Sequence, residues 1–171
     1  SQSPVDDLYN AAGVLDPASN LQDMIDKLAK IPLRQQPGSL WHYSVSVDVQ
    51  GYMVEKLSGQ RFSDFLEDNI FEPLGMVDTD FFVPAEKADR LAEVYAYGPD
   101  GKLFASEGFT DGPSYLVEHN FEGGGGGLVG STMDYLRFSQ MLLNGGELDG
   151  ERILAPLTIE LMHRNQLPKG L

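Results

Sequence analysis

Few side chains in this 171-residue chain stand in patterns that do chemistry. Its 3 histidines, His42, His119 and His163, form neither H-x-x-x-H nor H-E-x-x-H, the spacings that aim imidazoles from one helix face at zinc. Cysteine is absent, which rules out thiolate metal sites and disulfide scaffolds and leaves the compartment open. A Ser-His-Asp triad on a nucleophile elbow needs G-x-S-x-G, and no such segment occurs. His119 beside Glu118 reads as an exposed loop pair rather than an acid–base couple. Glu67-Asp68 and Asp78/Asp80 read as solvated faces and turns rather than the paired carboxylates of a glycosidase. The glycine run Gly123–Gly127 lacks the Lys-Ser/Thr of a phosphate loop, and Glu118–Glu122 before it is a poor strand for a dinucleotide fold. It reads instead as a loop passing close to another backbone or a cleft wall. Trp41-His42-Tyr43-Ser44 sets the only tryptophan near a tyrosine, just after a Pro-Gly turn. On physics alone that aromatic pair is core packing.

The elements that must position these residues follow from period and caps. Leu21, Met24, Ile25 and Leu28 predict a helix after Asn20, with Asn20 as its cap, Asp23 at the positive end of its dipole and Pro32 as its stop. A second helix is predicted over about Ser46–Leu57, with a stripe of Val49, Met53, Val54 and Leu57 and Gly59 as C-cap; the alternation of Val45, Val47 and Val49 allows a strand instead. Ser63 is expected to cap a third helix that buries Phe65, Leu66 and Ile70 and ends at Pro73 and Gly75. Leu91–Tyr97 and Lys102–Ala105 flank Gly98-Pro99-Asp100-Gly101 and predict a hairpin. Residues 106–122 show no period. Ser131 and Asp134 are spaced nearly as a capping box for a helix with Met133, Leu136, Met141 and Leu142 inward, ending at Asn144-Gly145-Gly146. Pro156 opens a last helix with Leu157, Leu161 and Met162 inward.

Composition narrows the partners. With 42% apolar and 22% charged residues the chain is globular, and its length suits one domain burying roughly 70% of its unfolded surface. No apolar run approaches the ~18 residues of a membrane span, and the start lacks a signal peptide's basic and apolar segments. A net charge of −14 repels phosphate backbones and anionic lipids, so neither nucleic acid nor a membrane surface is an expected partner. A polar start without methionine and the closing Pro168-Lys169-Gly170-Leu171 predict a piece of a longer protein.

Pro37–Ser44 resembles a segment of the serine β-lactamase and penicillin-binding-protein superfamily, in the branch of class C β-lactamases and family VIII carboxylesterases. Phe71–Thr79, Gly126–Asp134 and Leu143–Gly146 resemble the same branch, in order and with its spacing. The resemblance implies an acyl-enzyme mechanism in which the Ser of S-x-x-K attacks a carbonyl while a Lys and a Tyr share the proton work. Tyr43 matches that tyrosine. A free tyrosine, with a pKa near ~10, is a poor base at neutral pH, and a neighbouring ammonium lowers that value. No Ser here has Lys three residues on: Ser44 is followed at that distance by Val47, Ser131 by Asp134 and Ser139 by Leu142. K-T-G is likewise missing, since Lys169-Gly170 lacks the middle residue. The resemblance therefore implies a mainly α fold with a small β-hairpin: a single helical lobe, residues 1–171, whose flanking α/β domain would lie outside it.

The expected function is part of a serine hydrolase, a carboxylesterase, silent as this piece, with Tyr43 catalytic and partly buried beside a cleft. Val45, Gly125 and Gly126 are the expected substrate-contacting positions. Class C enzymes carry Asn where Val45 stands, and Val has no donor or acceptor for a β-lactam amide, which points to esters. No cofactor or metal is expected. The expected partners are a small ester or amide substrate and, for a separated lobe, a second copy across its exposed interface. The alternatives are a β-lactamase or D-amino peptidase, and, in another class, a non-catalytic module that binds peptides or a protein.

Overall fold

The computed structural model describes residues 4–43, 45–106 and 115–167. Ser44, much of the aperiodic stretch and Lys169-Gly170 lie outside them. The described chain is mostly helical, with two small antiparallel hairpins.

α1 (Pro4–Ala12) was not expected, although Val5, Leu8, Tyr9 and Ala12 keep helical spacing and Asp6 and Asp7 favour its first turn. α2 (Leu21–Leu28) forms as its caps require. The Asn20 side chain accepts from the Asp23 N–H, and Asp23 accepts from the Asn20 N–H, a complete capping box. Leu21 and Met24 are fully buried and, with Val14, make one core that Tyr9 from α1 and Val49 and Tyr52 from α3 (Ser46–Ser58) close over. The helical reading of residues 46–57 therefore holds over the strand, and Gly59 caps α3 in the left-handed region. Its stripe holds only in part: Val49 packs on that core and Val54 is half-buried, but Met53 and Leu57 are exposed, and Asp48 and Gly51 are the buried residues of the helix.

The N-cap position of α4 (Phe62–Leu66) falls on Arg61 rather than Ser63, and the Arg61 side chain makes no capping bond. It continues as a π-helical turn over Glu67–Phe71 and a short α5 (Glu72–Leu74) that ends at left-handed Gly75. Pro73 explains the wide turn: a proline in a helix removes an N–H and crowds the carbonyl four residues back. Phe71, Leu74 and Met76 join Met141 from α6 (Thr132–Leu143) in a second core.

α6 starts at Ser131, whose hydroxyl accepts from the Asp134 N–H, one half of the expected box. Met133 and Leu136 are exposed; Asp134 and Met141 define the inner face. After α6, β3 (Glu147–Leu148) and β4 (Glu151–Arg152) form a hairpin that was not expected. Its turn, Asp149-Gly150, has both φ angles positive, at 53° and 91°. α7 (Pro156–Met162) begins at Pro156 as expected, but it buries Ile159 and leaves Leu157, Leu161 and Met162 exposed. The predicted hairpin is present as β1 (Val94–Tyr97) and β2 (Leu103–Ser106), with Tyr97 opposite Leu103.

Candidate active-site cleft

The start of α3 places Tyr43. Val45 is the N-cap of α3, and Tyr43 stands two residues before that cap. Core packing is the wrong reading of the aromatic pair, and Tyr43 is not partly buried as expected, because the described residues leave both rings uncovered: Trp41 is 65% and Tyr43 79% exposed. The two rings face a cleft of about 1140 Å³ instead. Among the described residues the Tyr43 hydroxyl has no hydrogen-bond partner. The cleft's other walls are α1, the α1–α2 turn and the glycine run, and Val45, Gly125 and Gly126 line it together with Tyr43. The structure thus brings all the sequence-selected positions to one cleft.

The glycine run is held to the lobe at successive points. Glu122 is buried and caps α4: its carboxylate accepts from the Ser63 N–H at 2.8 Å and the Ser63 hydroxyl at 2.9 Å, and pairs with Arg61. Asp48 Oδ1 accepts from the Gly125 N–H at 3.0 Å. Val129 and Asp80 exchange backbone bonds of 2.8 and 3.0 Å beyond the run. A Cβ on Gly123 would lie 2.8 Å from Asp48 Oδ1, and one on Gly124 would collide with the Val47 carbonyl. One on Gly126 meets nothing within 4 Å. The run is therefore crowded where it crosses the first turn of α3, at Gly123–Gly125, and open at Gly126, as a close backbone approach demands. Sequence reasoning passed over Asp48, for which an acid in a first helical turn was the available signal. It also passed over the Arg34–Asp6 pair on the cleft wall, bonded at 2.8 and 2.9 Å.

A second cavity, of about 670 Å³, lies between α4, the 78–84 segment and residues 118–122. Asp78 and Asp80 line it half-buried rather than standing on solvated turns. Arg90 and Lys87 bond the Asp78 carboxylate and hold its pKa well below the usual aspartate value. Burial pushes Asp80 up, aided by the Glu122 and Glu118 charges. Asp134, buried on α6, accepts from the Asp78 N–H at 2.7 Å and the Thr79 hydroxyl at 2.9 Å. Ion pairing and burial account for both shifts, and these contacts join the 78–79 turn to α6 rather than arrange an acid–base pair.

Mostly helical with small antiparallel hairpins, the chain matches structures of the β-lactamase fold. The β-lactamase family profile matches residues 2–171, and the chain belongs to that family. Protein Rv1367c of Mycobacterium tuberculosis is 35% identical over 140 residues, covering 82% of this chain and 34% of its own length. Esterase EstB of Burkholderia gladioli is 32% identical over 147 residues, covering 76% of this chain and 37% of its own. The solved structure of EstCE1, described as a hydrolase with promiscuous acyltransferase activity, superposes with a TM-score of 0.74 at 25% identity, over 90% of this chain and 43% of that one. The chain spans about a third of the length of the curated relatives it matches.

Proposed function

We propose that this chain is the helical lobe of a serine ester hydrolase and that Tyr43 is the catalytic residue it contributes. The observation that carries the reading is the convergence of Tyr43, Val45, Gly125 and Gly126 on one cleft. A serine alkoxide forms only if its proton has somewhere to go. A phenol at a cleft mouth, exposed and unpartnered within the described lobe, is placed to take that proton and return it to the leaving alkoxide. The S-x-x-K serine and its lysine would come from sequence outside these 171 residues, so the isolated chain is expected to be silent. The names of EstB and EstCE1 support ester chemistry, and Val45 supports it from this chain's own residues. A β-lactam held by its side-chain amide needs a polar partner at that position, and Val45 offers none.

The test is kcat/KM of the full-length protein for p-nitrophenyl butyrate and for a chromogenic cephalosporin. The ester should be favoured by at least about tenfold, and Val45→Asn should narrow that ratio by restoring a polar group worth roughly 1 kcal/mol. A protein that prefers the cephalosporin contradicts the ester assignment. EstCE1's description also favours acyl transfer to an alcohol, in which the same acyl-enzyme meets an alcohol instead of water.

A further inference from the structure

We propose that Asp48 is a positioning residue of the cleft, holding the Gly123–Gly125 wall against the first turn of α3, the helix that follows Tyr43; the inference rests on the ester-hydrolase reading above. Asp48 is only 8% exposed, although it is an acid on a strongly acidic chain. Burying a carboxylate is costly unless it is bonded. Its bond goes to the backbone of the glycine run, through the Gly125 N–H at 3.0 Å. Its oxygens lie so near the run that Cβ atoms on Gly123 and Gly125 would stand 2.8 and 3.0 Å from them. Asp48 is also in the first turn of α3, where the helix dipole favours its negative charge. One side chain thus ties two walls together. Tyr43 stands just before α3, and Gly125 and Gly126 form the facing surface.

Glu122 and Val129 anchor the run on either side, but neither reaches its centre. Without Asp48 the span between them has no side-chain tether to α3 among the described residues. The wall would then lose its set distance from Tyr43, and substrate fit would suffer before proton transfer does. A residue acting this way weakens binding of ground and transition states alike, which raises KM.

The test uses the full-length protein with Asp48→Asn and Asp48→Ala, read by ester kinetics and by amide hydrogen exchange. Asn keeps an oxygen for the Gly125 N–H; Ala does not. In Asp48→Ala the Gly125 amide should exchange about tenfold faster or more, and KM for p-nitrophenyl butyrate should rise by about tenfold with kcat changed less than about threefold. Asn should return both readings close to wild type. If Ala does not fold, Asp48→Ser, too short to reach Gly125, takes its place. Wild-type KM and wild-type Gly125 exchange in the Ala or Ser variant would overturn the proposal. So would a loss confined to kcat. If the wild-type protein hydrolyses no ester, the functional reading falls, and the exchange arm alone decides whether Asp48 clamps the loop.

Discussion

Trp41 and Tyr43 show how far single residues can be read from a sequence. Aromatic character alone predicts burial, but burial needs apolar neighbours, and the described residues supply none that cover these rings. Only the resemblance of the surrounding segment marked Tyr43 as chemical. Asp48 was illegible for the opposite reason: its role comes from a backbone 77 positions away in sequence. Asp80 carries a prediction at this scale. Burial raises its pKa in the fold, with Glu122 and Glu118 adding to it, and the Phe81 N–H bond and Arg61 only partly offset the rise. A carboxyl raised by folding destabilises the native state above its raised value, and this cost vanishes as pH falls towards the unfolded value of ~3.9. Asp80→Asn keeps an acceptor for Phe81 and removes the charge. Its Tm should exceed wild type by about 1–3 °C at neutral pH, and the gain should shrink to nothing on acidification. Thermal scans across that range check it; equal Tm values at every pH would contradict the assignment.

At the scale of elements, ends were more legible than faces. Asn20, Gly59, Ser131 and Pro156 mark boundaries through local hydrogen bonds and fixed φ angles, and all of them hold. The inward faces of α3, α6 and α7 were misread because outward Met53, Leu136 and Leu161 share the helical period of a core stripe. Which stripe is buried depends on what the helix meets, and for α3 it meets the glycine run, through Gly51 and Asp48. The loop itself was read correctly as a close backbone approach, and substitutions should resolve it residue by residue. Gly124→Ala drives a methyl into the Val47 carbonyl and should destabilise by about 1–3 kcal/mol. Gly126→Ala meets open space and should stay within about 0.5 kcal/mol of wild type. Denaturant melts of the two variants decide; equal losses would mean that the run does not cross α3 as described.

The whole molecule leaves much apolar surface outside its two cores. Leu57, Leu143 and Leu157 are 84%, 79% and 75% exposed. A lobe that normally packs against a second domain would uncover an interface of roughly 600–1,500 Å². The 171-residue chain is therefore expected to self-associate, with a weight-average mass in sedimentation equilibrium that rises with concentration; a constant monomer mass would contradict this. The proposed catalysis turns on Tyr43, because the cleft and the glycine wall matter to it only if that phenol moves a proton. The most direct measurement is kcat of full-length Tyr43→Phe on p-nitrophenyl butyrate, beside its thermal stability. The expected result is a fall of about 10²–10⁴ in rate, with stability changed by about 1 kcal/mol or less. A variant with wild-type kcat would make Tyr43 a surface aromatic and contradict the central claim.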